Sequence, residues 1–112
     1  MEGDNVPNIE MECIKGVIFI RFKNEKEINK NYKKISEMIK DNQINNIVFN
    51  LKNINKIDRK GIKLLNYNYS LCKRNNGSIY FCNMKKDIEN ILLKNYLPIT
   101  NNELTALNLF NI

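Results

Sequence analysis

Apolar residues recur along this chain with two different periods, and the switches between them mark the elements. Ile9, Met11 and Cys13 alternate with Glu10 and Glu12, the period of a half-exposed strand. Lys15-Gly16 then offers a turn, and Val17-Ile18-Phe19-Ile20-Arg21-Phe22 is apolar almost throughout. The two segments predict an antiparallel hairpin whose second strand is the more deeply buried. From Asn24 the period turns helical. Ile28, Tyr32, Ile35, Met38 and Ile39 share one face, Asn24 and Glu27 approximate a capping box, and the helix should stop near Asp41-Asn42. Ile47 to Leu51 reads as a strand covered on both sides. Asp58 can cap a second helix with Ile62, Leu65, Tyr69 and Cys72 on its inner face and Leu64 and Leu71 flanking. Asn75-Asn76-Gly77 should end it, since Asn and Gly tolerate a left-handed cap. Ser78 to Cys82 forms the next strand, and Asp87 to Asn95 a third helix with Ile88, Ile91 and Leu92 inward. After a short extended segment, Leu97-Pro98-Ile99, comes Thr100-Asn101-Asn102-Glu103. This fits a capping box and opens a last helix with Leu104, Leu107 and Phe110 inward.

The order is ββαβαβα, a short β, then α. Parallel strands joined by helices cross over right-handed. An α/β domain follows, with a mixed β-sheet, an antiparallel N-terminal hairpin, βαβ units and four helices. At 112 residues the chain suits a single domain with one core. Residues 1–8 are polar and aperiodic and read as a loose N-terminal arm, leaving 9–112 as the domain. No apolar run approaches signal-peptide or membrane-spanning length, and Glu2 and Asp4 make the start acidic, so a cytoplasmic protein is expected.

Candidate chemistry narrows quickly. The chain has no His, which removes the usual general base near neutral pH. Cys13, Cys72 and Cys82 share no metal-ligand spacing and fall in apolar patterns, so they read as buried or half-buried thiols, with no metal site and no disulfide. No phosphate-binding glycine loop and no paired carboxylates occur, so no cofactor and no enzymatic activity are expected. The net charge is +6, but 15 of the 18 basic residues are Lys in a chain that also holds 22 Asn and 17 Ile, which suggests compositional drift. Tyr67 and Tyr69 beside Lys63, Lys73 and Arg74 leave a basic nucleic-acid-binding domain as one alternative, weakened by the presence of only three Arg.

The block from Ile47 to Cys82, which runs strand, Asp58-Arg59-Lys60-Gly61, helix, then Gly77 and strand, resembles the STAS family. That family is shared by anti-sigma factor antagonists and the cytoplasmic tails of sulfate transporters. The element order extends the resemblance over roughly Ile9 to Phe110. It implies a non-enzymatic, protein-binding regulatory module. The partner would be an anti-sigma factor or kinase, or another complex subunit as in lipid-transport or stress-signalling assemblies. In the family the loop before the second helix and that helix's first turns dock on the partner. Carried over, the surface is Asn55, Lys56, Asp58, Arg59, Lys60, Gly61 and Lys63. Many bacterial antagonists carry Asp-Ser-Ser-Gly or Asp-Ser-Thr-Gly here, and the partner kinase phosphorylates that hydroxyl. Lys60 occupies the position, so no phosphorylation is expected. Phe22-Lys23-Asn24-Glu25-Lys26 likewise replaces a Gly-Glu-Leu-Asp-like segment of the family.

Overall fold

A computed structural model describes residues 9–42 and 44–110; the N-terminal arm lies outside them. β1 (Ile9–Ile14) and β2 (Val17–Phe22) form the hairpin, pairing Ile14 with Val17 and Ile9 with Phe22. Lys15 and Gly16 turn the chain with φ of 52° and 82°. Two successive positive values give the turn whose twist matches that of the flanking strands. Next come α1 (Lys26–Asn42), β3 (Asn46–Asn50), α2 (Arg59–Arg74), β4 (Ser78–Cys82), α3 (Lys86–Lys94), β5 (Ile99–Thr100) and α4 (Glu103–Leu109). The five strands lie in the order β1-β2-β3-β4-β5, and every pair after the first is parallel. This is the mixed sheet and four-helix α/β architecture that the periods predict.

Each inner strand is apolar on both faces because each face is covered. Ile20, Phe22, Ile47, Phe49, Ile79 and Phe81 point one way and meet Ile28, Ile35 and Ile39 of α1, Ile62, Leu65 and Cys72 of α2, and Ile88 and Leu92 of α3. Phe22, Phe49 and Phe81 stack edge to face across three strands, with centroids 5.3 and 5.4 Å apart, a geometry that adds to simple burial. Val17, Phe19, Val48 and Cys82 point the other way, toward Ala106 of α4. There Tyr80 meets Phe110 edge-on at 5.0 Å. Among the described residues no helix is long and apolar enough to cross a membrane.

The caps show how local chemistry places the ends. Asp58 Oδ1 accepts the Gly61 N–H at 2.7 Å, as the sequence predicts. At the far end of α2, Asn76 takes the left-handed conformation (φ 65°), and Gly77 N–H donates to Cys72 O at 2.8 Å, six residues closing to one. Asn24 accepts from Lys26 N at 3.0 Å, so α1 starts two residues later.

Several side chains sit elsewhere than their periods suggest. Leu104 is 68% exposed rather than inward. The cap of α4 is Asn102, which accepts from Thr105 N at 2.8 Å, and Glu103 is drawn into the sheet. That rotation turns positions 103, 106, 107 and 110 inward and Leu104 out. On α2, Asn68 and Leu71 are buried while Tyr69 is half-buried, because the Ser36 hydroxyl of α1 donates to Asn68 Oδ1 at 2.8 Å. Tyr32, Met38 and Ile91 are likewise half-buried. Cys13 is exposed: β1 is the sheet edge, and only Ile9 on it is buried.

Candidate functional site

Because β2, β3 and β4 run parallel, the loops that leave them gather at one edge of the sheet. The middle loop, from Leu51 to Asp58, is pinned from beneath by Leu51 and Ile54, both fully buried. Leu51 N–H donates to Cys82 O at 3.0 Å, and Ile54 N–H to Leu51 O at 3.0 Å. The neighbouring loops hold it from the sides. Lys85 Nζ donates to Asn55 Oδ1 at 2.7 Å and to Lys52 O at 3.2 Å. Asn55 N–H reaches Glu25 Oε2 at 3.5 Å. The loop is thus a fixed platform whose tip is polar.

The sequence-predicted site residues divide into three groups on this platform. Lys56, Asp58 and Gly61 line a cleft of about 330 Å³ between the loop and the start of α1, together with Glu25, Lys26, Asn29 and Ile57. Arg59, Lys60 and Lys63 stand exposed on the outer surface of α2. Asn55 is exposed but engaged by Lys85 and Glu25. Gly61 is buried, and a Cβ there would lie 2.9 Å from Ile57 Cγ1 and 3.2 Å from Asp58 Oδ1, so glycine lets the Asp58 cap close. Glu25 and Asn29, at the start of α1, and Lys85, ahead of α3, join the site because the parallel sheet brings these segments together. Asn29 Oδ1 is buried with no hydrogen-bond partner among the described residues.

Residues 8–97 match the STAS domain. The chain belongs to the STAS domain family. An anti-sigma F factor antagonist of Paenibacillus polymyxa is 28% identical over 106 residues, covering 88% of this chain and 91% of the relative. Among solved structures, the Bacillus cell fate determinant SpoIIAA in its phosphorylated form superposes with a TM-score of 0.74 at 16% identity, over 89% of this chain and 96% of that one. An anti-sigma-factor antagonist (STAS) domain protein from Planctomyces limnophilus does so with a TM-score of 0.74 at 16% identity, over 88% and 94%. Both superpositions speak to the fold.

On the sheet face covered by α4, this STAS domain carries an ion cluster that no local sequence pattern signals. Arg21 of β2 grips Glu103 of α4 with two parallel bonds, Nε to Oε2 at 2.7 Å and Nη2 to Oε1 at 2.8 Å. Its remaining nitrogen faces Glu12 at 2.9 Å and Glu10 at 3.5 Å. Asn50 Nδ2 adds a bond to Glu103 Oε2 at 2.7 Å. The Arg21 hydrogen bonds hold the Glu103 carboxyl below its ordinary range, against the opposing effect of burial. The same contact raises the Arg21 guanidinium.

The STAS domain's other polar groups offer little chemistry. Burial pushes the Cys72 and Cys82 thiols up to about 12, far from the thiolate that nucleophilic attack requires. Among the described residues no group of three His, Cys, Asp or Glu converges as a metal-ligand set. Tyr69 packs half-buried against the core while Tyr67 is 38% exposed, so the pair does not form a base-stacking platform.

Proposed function

We propose that this STAS domain is a cytoplasmic, non-enzymatic regulatory module that binds an anti-sigma factor through the β3–α2 loop and the first two turns of α2. The observation that carries the reading is the start of α2. Its cap is closed by Asp58 and Gly61, and it presents Arg59, Lys60 and Lys63 to solvent with no acid in the first turn. Cations at a helix amino terminus oppose the helix dipole by roughly 0.3–1 kcal/mol each, so their placement favours an acidic counterpart over a structural role. Likeness to an anti-sigma F factor antagonist supplies the partner class. The absence of His from the chain and the protonated state of the buried thiols support a binding role rather than catalysis.

Lys60 makes the contact independent of phosphorylation. A phosphoserine would add close to two negative charges and repel an acidic partner surface. Lys60 instead keeps a permanent positive charge there. The test is association with the anti-sigma factor of the same organism, followed by stopped flow across a salt series. Reversing Arg59→Glu with Lys60→Glu should slow association and flatten its salt dependence, since rim charges act mainly on the on-rate. Thermal stability should hold or rise slightly, because acids suit that position. Lys60→Ser should create a phosphorylatable site where the native chain has none. Unchanged association after charge reversal would place the contact elsewhere.

A further inference from the structure

Positive charge is unevenly spread over this protein. α2 holds Arg59, Lys60, Lys63, Lys73 and Arg74 and no acid, whereas the remaining 96 residues hold 13 basic and 12 acidic ones. One helix of 16 residues therefore supplies five of the six units of net charge. Compositional drift toward Lys raises the count of cations everywhere, but it does not strip the acids from a single helix. All five cations are exposed, and among the described residues none of them forms an ion pair. Arg59, Lys63, Tyr67, Ser70 and Arg74 recur at i, i+4, i+8, i+11 and i+15. They make one line along the helix, about 22 Å long at 1.5 Å per residue.

Beside this line runs a groove between α1 and α2, of about 480 Å³. Tyr32, Leu64 and Tyr67 supply its apolar surface, with Ser36, Glu37 and Lys40 beside them. Lys40 Nζ sits 5.8 Å from the centre of the Tyr67 ring, so the groove ends on another cation. Apolar surface flanked by cations at both ends, Arg59 and Lys63 at one and Arg74 at the other, is complementary to a helix with one apolar and one acidic face.

We propose that the α2 line and the α1–α2 groove form one docking surface for an acidic amphipathic helix of a protein partner. The partner's carboxylates meet Arg59, Lys63 and Arg74, and its apolar side chains enter between Tyr32, Leu64 and Tyr67. This rests on the reading given under Proposed function and extends it from the first turns to the whole length of α2. Nucleic acid fits less well, since Tyr67 stands alone as an exposed aromatic on α2, with no second exposed ring on that helix for base stacking. An anionic membrane fits poorly too, because Tyr67 is the only large apolar side chain exposed along α2, leaving little to insert.

The test uses the full chain labelled with ¹⁵N. The probe is a designed helical peptide about 22 Å long, roughly 15 residues, with one Glu face and one Leu face. A scrambled peptide of the same composition, a single-stranded DNA oligonucleotide and phosphatidylserine vesicles serve as comparisons. The amphipathic peptide should bind and shift the amides of Lys63, Tyr67 and Arg74 on α2 and of Tyr32 and Ser36 on α1. Tyr67→Ala should weaken it, and the scrambled peptide should bind more weakly. Lys73→Gln with Arg74→Gln, at the far end of α2, should slow association of both the peptide and the anti-sigma factor by roughly tenfold, with the helical circular dichroism unchanged. Equal binding by the scrambled peptide, or tighter binding by DNA or vesicles, overturns the proposal. If the far-end variant leaves association untouched while Arg59→Glu with Lys60→Glu still slows the anti-sigma factor, the extended surface is wrong and the first-turn contact stands. If neither variant has an effect, both readings fall.

Discussion

Two glycines that read alike in the sequence do opposite work. Gly16 sits at φ 82° with nothing within 4 Å of a built Cβ, so its role is conformational. Gly77 has a different reason: a Cβ there would lie 1.8 Å from Asn45 O, the carbonyl that accepts Ser78 N–H at 2.8 Å where β3 and β4 begin their pairing. The left-handed residue of that cap is Asn76, one position earlier. Gly16→Ala should therefore cost about 1 kcal/mol, the penalty for a side chain in the left-handed region. Gly77→Ala should cost about 3 kcal/mol or more, since backbone must move to admit a methyl group. Urea denaturation of the two variants measures the difference. Equal costs would mean that the Asn45 approach relaxes without effect. A run of Asn and Gly announces a turn, but its local pattern cannot say which residue bears the positive φ and which bears the close contact.

At the scale of the element, the helical period located all four helices, and their rotation was legible in proportion to their length. α1 and α2 run four turns or more, and Ile28, Ile35, Ile39, Ile62 and Leu65 face the core as expected. α4 has only 7 residues, too few for a period to fix a face, and its orientation was set by Glu103 reaching Arg21 and Asn50. A paired substitution tests both statements. Leu65 is fully buried, so Leu65→Ala should cost about 2–5 kcal/mol. Leu104 is 68% exposed, so Leu104→Ala should stay within about 0.5 kcal/mol. A large loss at Leu104 would mean that α4 packs by the face its sequence suggests. Of the residues at the candidate site, Asp58 and Gly61 were readable because a cap has a local signature. Glu25 and Asn29, at the start of α1, and Lys85, ahead of α3, were not, because they reach the site from segments distant in sequence.

At the scale of the whole molecule, the Arg21–Glu103 pair ties α4 back to β2 across 82 positions of sequence. Glu103 has its carboxyl depressed from an ordinary value of 4.5, with the Arg21 hydrogen bonds as the main cause. A depressed carboxylate contributes stability that is fully present above its unfolded-state value and is lost as pH falls through the folded one. The native chain should therefore lose stability on acidification below about pH 4.5, where Glu103 begins to take up a proton in the unfolded state. Glu103→Gln should be less stable at pH 7 and show a shallower loss over that acid range. Denaturation midpoints from pH 7 down to pH 2 or so read this out. Parallel slopes for the two proteins would show that the clamp contributes nothing to the acid limb.

The sequence alone determined what depends on neighbours along the chain: nine elements and their order, the Lys15-Gly16 turn, the Asp58 cap, and the side of each long helix that is apolar. Periodicity and capping act within a few residues, so their signals survive in one dimension. Tertiary structure decided what depends on distance in space. It rotated α4, exposed Cys13 on an edge strand, buried Asn68 against Ser36, and closed Arg21 on Glu103. It also laid α1 beside α2, which opened a groove next to the α2 cations, none of which forms an ion pair among the described residues. A charge count records how many cations a chain has, but only the fold determines which of them find acids and which remain exposed to a partner.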